Sequence, residues 1–93
     1  MKRRAVGDSP APKGTTAASE DGVVAFRLEF RAGRLHVERT QLRADARRVT
    51  QSMRFENDSA FILWCDADRL RFTYPLLYAN LKRSGCALFS ATP

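Results

Sequence analysis

Arginine is the residue type in this sequence whose number and spacing indicate a chemical role. Thirteen of the 16 basic residues are arginine, whose planar guanidinium suits phosphate and carboxylate groups better than the lysine ammonium does. If a helix follows Thr40, then Arg39, Arg43 and Arg47 lie on successive turns along one face. Phosphate binding needs cations spaced along one surface in this way. Three more arginines are expected to point outward from strands. Together, the candidate nucleic-acid-binding residues are Arg27, Arg39, Arg43, Arg47, Arg69 and Arg71. A GC-rich gene would produce the same excess of arginine, and the sequence alone does not separate the two explanations.

Residues that could catalyse a reaction or hold a metal ion are sparse. The single histidine, His36, is expected at an exposed strand position beside Glu29, where a surface salt bridge explains it better than general-base catalysis. Asp66 and Asp68 could converge on a cation, but two carboxylates make an incomplete site and aspartate commonly forms turns. The sequence therefore predicts a protein that is not an enzyme and that needs no metal or other cofactor.

The positive charge divides unequally between two parts of the chain. The formal net charge is +6, of which residues 1–22 carry +1 and residues 23–93 carry +5. Residues 1–22 are rich in Ala, Gly, Ser, Thr and Pro, and such a segment buries too little apolar surface to offset its ordering entropy. We therefore predict a flexible tail over 1–22 and a single basic domain over 23–93.

The sequence contains no recognisable export signal or membrane span. The basic start at Met1 is followed by Gly7, Asp8 and Pro10 rather than by an apolar stretch. The longest apolar run covers residues 60–65, far short of the roughly 18 residues that a span requires. A cytoplasmic protein without a membrane partner is therefore expected. In that compartment Cys65 and Cys86 are expected to be free thiols, although the sequence leaves open whether they pair.

A β-hairpin is the clearest structural prediction. Apolar residues alternate over 23–30 and again at Leu35 and Val37, and both runs flank a short loop that contains Gly33. A loop of even length places Phe30 opposite Leu35 and keeps the apolar side chains on one face. The same register places Glu29 opposite His36 and Arg27 opposite Glu38 on the other face, where opposite charges stabilise the ladder.

Residues 40–55 allow two interpretations. A helix capped by Thr40 would gather Leu42, Ala46, Val49 and Met53 into an apolar stripe. Alternatively, the helix ends near Arg48 and residues 49–55 form a strand, with residues 56–59 as the loop of a second hairpin. The choice decides whether Arg54 joins the line of arginines.

The remaining segments complete a small α+β domain. Residues 60–65 are apolar on both faces, which is typical of a central strand, and residues 69–73 alternate as the next strand. Thr73 and Pro75 mark the start of a helix that Gly85 is expected to end, with a short strand possible over 86–89. The predicted fold is a small antiparallel sheet of four to five strands with two helices, in a ββαββα-like order.

Two functional hypotheses follow. The first is a non-enzymatic accessory domain that binds nucleic acid through phosphate contacts from the arginines. The second is a protein–protein interaction module, either for an acidic partner surface or for homo-oligomerisation. It is favoured by the small size of the domain and by apolar groups on both faces of residues 60–65.

Overall fold

The computed structural model describes residues 13–91 and contains four strands followed by three helices. The strands are β1 (Lys13–Ala18), β2 (Val24–Arg31), β3 (Arg34–Leu42) and β4 (Arg48–Phe55). The helices are α1 (Asp58–Ala67), α2 (Leu70–Thr73) and α3 (Pro75–Ser90). The strands form one antiparallel sheet in the order β1-β2-β3-β4. The predicted α+β class with an antiparallel sheet of four to five strands is confirmed, with four strands. Three helices follow the sheet rather than the predicted two, and the order is ββββααα rather than ββαββα.

The β2–β3 hairpin has the predicted register. Phe30 lies opposite Leu35, Glu29 opposite His36, and Arg27 opposite Glu38. Ala32 and Gly33 form the turn, with φ of 55° and 75°. Positive φ at both central residues is the geometry of the tight hairpin turns that follow the twist of the strands, and glycine adopts it without steric cost.

The helix predicted from Thr40 is wrong, and the alternative strand is confirmed. β3 continues to Leu42, a turn follows, and β4 runs antiparallel back along β3. Asp45 explains the reversal, because its side chain accepts a hydrogen bond from the backbone amide of Arg47 at 3.1 Å, a pattern typical of turns. Across the ladder, the hydroxyls of Thr40 and Thr50 lie 3.2 Å apart in a hydrogen bond. The loop predicted over 56–59 is also wrong, because Asn57 caps α1 by accepting from the amide of Ala60.

Three later predictions are corrected in the same way, from strand to helix. Residues 60–65 lie in α1, residues 70–73 form α2, and residues 86–89 continue α3. The helix predicted at Pro75 is confirmed, but Gly85 does not end it. Gly85 is buried against Phe61, and a Cβ atom at this position would overlap the aromatic ring. This glycine is therefore required for close packing of α3 on α1 rather than for a turn.

The boundary predicted between tail and domain is also corrected. Residues 13–18 form β1, which pairs with β2, so the ordered domain begins ten residues before the predicted position of 23. Ser19 is buried after this strand, and its hydroxyl accepts hydrogen bonds from the amides of Val23 and Val24, both at 3.1 Å. Small and hydroxylated residues pair through their backbones here, which the low hydrophobicity of the segment concealed. Residues 1–12, the rest of the predicted tail, lie outside the described residues.

The helices lie on one face of the sheet, which we call the inner face. There α1 and α3 pack against the strands, and α2 packs against α1 and α3. Alternate side chains of β2 and β3 reach this face and are buried, while α1 and α3 supply the opposing layer. Phe61 and Trp64 share one face of α1 and stack at 6.2 Å between ring centroids. The core consists of Val24, Phe26, Leu28, Leu35, Val37, Phe61, Cys65, Leu70, Leu77 and Leu81.

Candidate nucleic-acid interface

The face of the sheet that points away from the helices, here called the outer face, is open and rich in arginine. The strand registers place alternate residues of each strand on it. Its charged members on β2, β3 and β4 are five arginines against two glutamates, with a histidine among them: Arg27, Arg31, Arg34, Arg48, Arg54, Glu29, Glu38 and His36. Hydroxyl groups of Thr16, Thr40, Thr50 and Ser52 lie between them.

Acidic residues partly neutralise the outer face near the β2–β3 hairpin. Arg27 lies 3.6 Å from Glu38, and Arg31 lies 2.9 Å from Glu29. Arg34, on β3, is 2.8 Å from Glu56, which follows β4. All three pairs are substantially exposed to water, and exposed ion pairs are worth only about 0–1 kcal/mol each. These arginines could therefore exchange a carboxylate for a phosphate at low cost.

Two arginines of β4 are less constrained. Among residues 13–91, neither Arg48 nor Arg54 forms an ion pair, and both are exposed. They are six residues apart on one face, which is a separation of roughly 20 Å along an antiparallel strand. They are therefore more available to a ligand than the paired arginines of the outer face.

His36 occupies the centre of the outer face. The register places it between Glu29 of β2 and Arg54 of β4. The position opposite Glu29 is the one that the hairpin prediction gave. The Nε2 atom of His36 is buried and has no hydrogen-bond partner. Within residues 13–91 the expected salt bridge between His36 and Glu29 does not form, and Glu29 pairs with Arg31 instead. No cluster of three or more potential metal ligands surrounds it or any other site within the described residues.

The six arginines predicted as a binding site do not form one surface. Arg27 is on the outer face, while Arg39 is on the inner face, where it pairs with Asp68 at 3.0 Å and lies over the Phe26 ring at 5.6 Å. Arg43 and Arg47 belong to the β3–β4 turn rather than to a helix, and Arg47 pairs with Asp45 at 2.9 Å.

The other two predicted residues lie on the helical side. Arg69 precedes α2 and Arg71 lies within it, with the Arg71 guanidinium 4.7 Å from the centroid of the Phe72 ring. Both are exposed, but the sheet and its core separate them from Arg27. The predicted line of arginines along one helix does not exist, because that segment forms β3, a turn and β4.

The predicted set of binding residues left out four arginines of the outer face: Arg31, Arg34, Arg48 and Arg54. For Arg48 and Arg54, the alternation of residues along β4 indicated their position. Val49, Met53 and Phe55 lie on one face of the strand, and the two arginines lie on the other. This alternation was usable only in the strand interpretation, which the sequence did not favour over the helix. For Arg31 and Arg34, their position at the ends of the loop concealed that they pair directly across the ladder.

The two carboxylates considered for cation binding are committed to different protein partners. Asp66 accepts hydrogen bonds from Tyr78 at 2.6 Å and from Lys82 at 3.0 Å. These two bonds, that of Tyr78 first, hold the pKa of the Asp66 carboxyl below its usual value. Asp68 instead binds Arg39 and accepts from the amide of Leu70 at 2.9 Å. The pair therefore connects the helices to each other and to the sheet.

Cys65 and Cys86 are both free thiols. Cys65 lies in the core, where desolvation raises its pKa to about 12, and Cys86 is partly exposed with a pKa that burial also raises. Since the thiolate is the reactive form, neither environment suits a nucleophile or a metal ligand.

Neither the helices nor comparison with other proteins assigns a role to the chain. No helix within residues 13–91 is long and apolar enough to cross a membrane. Comparison of the chain with protein-family models, with curated proteins and with solved structures finds no match to any of them.

Proposed function

We propose that this protein is a non-enzymatic accessory domain of the cytoplasm that binds nucleic acid, with the outer face of its sheet against the phosphate backbone. The observation that carries the proposal is the placement of Arg48 and Arg54 on an uncovered sheet face, without ion-pair partners among residues 13–91. Arg27, Arg31 and Arg34 extend the same face and hold their carboxylates through exposed pairs.

The spacing of these arginines fits an extended polyanion. Arg48 and Arg54 are separated by roughly 20 Å along the strand, which corresponds to about six steps of 3.4 Å along the axis of a B-form duplex. The hydroxyls of Thr50 and Ser52 lie between them on the same face. Hydroxyl groups are common donors to phosphate oxygens, so the edge of the face offers charge and hydrogen bonding along one line.

The chemistry of the face predicts binding without sequence preference. Proteins that bind single strands commonly stack bases on exposed aromatic rings. The aromatic side chains of β2 and β4 lie on the inner face, so the outer face is left with contacts to phosphate. Phosphate contacts fix position and affinity but carry no sequence information. The proposed affinity is therefore electrostatic and depends steeply on salt.

Fluorescence anisotropy tests this proposal with the full chain and labelled duplex DNA, single-stranded DNA and RNA. Each phosphate that the protein neutralises lowers the logarithmic slope of affinity against salt by about 0.9 for duplex DNA. We expect measurable binding at low salt to duplexes of unrelated sequence, and a slope that indicates a few contacts. Absence of binding at low salt would overturn the proposal.

The variant R48E/R54E is the decisive comparison. We expect it to weaken duplex binding at least tenfold at low salt and to reduce the salt slope by about two contacts. The matched control R71E/R83E changes the net charge equally but on the helical side. Equal losses in both variants would show that net charge, and not the outer face, determines binding. Competition by polyglutamate as effective as by DNA would instead indicate an acidic protein partner.

A further inference from the structure

β4 is an edge strand with little cover. Among residues 13–91 it pairs with β3 alone, and its first five residues, 48–52, are all exposed. Even the inner face of β4 is partly open to solvent. Val49 lies on that face together with Phe55, yet 39% of its surface is exposed. An uncovered strand edge of eight residues is a template for pairing with another strand.

The hydrogen-bonding pattern shows which backbone groups of β4 are available. In the β3–β4 turn, the amide of Arg43 donates to the carbonyl of Arg47 at 2.7 Å, so this is a hydrogen-bonded pair of the ladder. Hydrogen-bonded and non-bonded pairs alternate in an antiparallel ladder, which directs the backbone groups of Val49, Gln51 and Met53 towards β3. The amides and carbonyls that point away from the sheet belong to Arg48, Thr50, Ser52 and Arg54.

We propose that β4 pairs antiparallel with β4 of a second copy of this chain, about a two-fold axis at Ser52. In this register Ser52 faces Ser52 of the second copy, and Thr50 faces its Arg54. All of the outward backbone groups of residues 48–54 then gain partners. In this register each inner-face residue lies opposite an inner-face residue of the second copy. The two inner faces are therefore continuous, and the helices of both copies lie on the same side of an eight-stranded sheet.

Side-chain complementarity selects this register and this occupant. It sets Phe55 opposite Val49 of the second copy on the inner face, an aromatic and β-branched pair of the kind that stabilises sheets. It also sets Arg48 opposite Glu56 of the second copy, so that a carboxylate already 2.8 Å from Arg34 of its own chain meets a second guanidinium. The two-fold axis repeats each of these pairs, which gives two apolar and two charged contacts from one strand.

Neighbouring registers lose these contacts. An axis at Gln51 sets Arg48 opposite Arg54 of the second copy twice, and like charges directly opposite destabilise a ladder. An axis at Met53 keeps one apolar contact, between Met53 and Met53 of the second copy, but sets Val49 opposite Asn57 and Phe55 opposite Gln51. Of these three registers, the one centred on Ser52 combines apolar pairs with unlike charges.

The opposite edge of the sheet does not offer the same match. β1 has the sequence KGTTAA, which contains no apolar residue larger than alanine and no acidic residue. Any pairing there depends on backbone groups alone, and α3 packs beneath this edge. Self-association is therefore assigned to β4 and closes as a dimer rather than continuing as a filament.

Sedimentation equilibrium of the full chain without nucleic acid tests the dimer, which does not depend on the proposed function. We expect a monomer–dimer equilibrium at micromolar concentrations. A clean monomer at 100 µM (a concentration on the order of 10⁻⁴ M, where even weak pairing would show) would overturn the proposal. Polymers that grow with concentration would overturn it too, because they indicate pairing between different edges.

Two proline variants locate the interface. Ser52→Pro removes an amide that the β3–β4 ladder does not use, since proline is tolerated where an edge N–H faces solvent. We expect a folded monomer with dimer affinity reduced at least tenfold. Thr16→Pro makes the same change at an outward amide of β1 and should leave the dimer intact. Equal effects of the two variants, or none from Ser52→Pro, would contradict the proposed interface.

Two further measurements test the register and do not depend on the proline variants folding. Amide exchange of Thr50, Ser52 and Arg54 in the unmodified chain should slow at least tenfold between dilute and concentrated samples, and unchanged rates would contradict the pairing. Reversing one charge in R48E should weaken the dimer severalfold, and the double variant R48E/E56R should restore it. Failure of the double variant to recover affinity would exclude the register centred on Ser52.

Discussion

Arg39 and Asp68 connect the inner face of the sheet to the segment between α1 and α2, with 3.0 Å between Nη1 and Oδ2. Their side chains retain only 19% and 21% of their surface to solvent, and the guanidinium also lies over the Phe26 ring. The relationship explains why an arginine occurs on the apolar side of β3. Arg39 stabilises the fold and is unavailable to a phosphate.

Removing either member of this pair should destabilise the domain. Asp68→Asn leaves a partly buried guanidinium without its charged partner and should lower the free energy of unfolding by about 1–3 kcal/mol. Urea denaturation of the full chain measures the change. Asp45→Asn, which removes the exposed partner of Arg47, is the matched control and should cost less than about 1 kcal/mol. Equal effects would contradict the structural role assigned to Arg39.

Gly85 should tolerate no larger residue, although it lies inside a helix. Helix propensity alone predicts that Gly85→Ala stabilises the protein by about 1 kcal/mol. Because the added methyl group overlaps the ring of Phe61, we expect a loss of about 1–3 kcal/mol instead.

The same denaturation measurement checks this prediction, and Ala87→Gly provides the comparison on the exposed side of α3. That variant should cost about 1 kcal/mol through propensity alone. A stabilised Gly85→Ala protein would show that the contact between α1 and α3 is looser than described.

The hairpin turn can be improved at Ala32. An alanine at φ of 55° is strained, because left-handed backbone costs most L residues roughly 1–2 kcal/mol. Ala32→Asn creates the Asn-Gly sequence preferred in such turns and should raise the free energy of unfolding by about 0.5–1 kcal/mol. A thermal melt measures the gain, and Ala25→Asn, near the start of β2, should instead destabilise. No gain at Ala32 would mean that the turn relaxes without strain in solution.

Stability should depend on pH through the contact of Asp66 with Tyr78 and Lys82. The pKa of Asp66 is lowered from 3.8 by these hydrogen bonds, so its contribution is fully present above the unfolded pKa and disappears as pH falls through the folded value. The pKa of Lys82 is raised from 10.5, chiefly by its hydrogen bond to Asp66. Its contribution is present below 10.5 and is lost as pH rises through the folded value.

The urea midpoint measured from pH 2 to 8 tests the acid limb. We expect D66N to flatten the decline of the urea midpoint below pH 4. Y78F should make that decline less steep, since Tyr78 makes the shorter bond to Asp66. An unchanged acid limb in D66N would assign the decline to other carboxylates.

The hairpin was predictable because its evidence is local and redundant. Alternation, an even loop and opposite charges at Arg27 and Glu38 all specify one register, and a shift by one residue would expose every apolar side chain. Residues 60–65 lacked such redundancy. A short apolar run fits a buried strand and a buried helix equally, and the helix is decided by the cap at Asn57 and by packing of Phe61 on Gly85, a residue 24 positions away.

The candidate surface was predictable only in part, for the same reason. The charge and its arginine character are properties of composition, but the face on which an arginine lies depends on the element that contains it. Arg39 and Arg43 share a face in a helix and are separated in a strand and its turn. Once β4 is identified as a strand, its parity alone places Arg48 and Arg54 together on the outer face.

The order of elements along the chain has a consequence during synthesis. Every strand pairs with its sequence neighbour, so the sheet can assemble as the chain emerges from the ribosome, whereas the helices that cover it occupy residues 58–90. Until these helices have emerged and packed, Phe26, Leu28 and Val37 face solvent on a nascent sheet, which makes this stage the one at which a chaperone would protect the chain from aggregation.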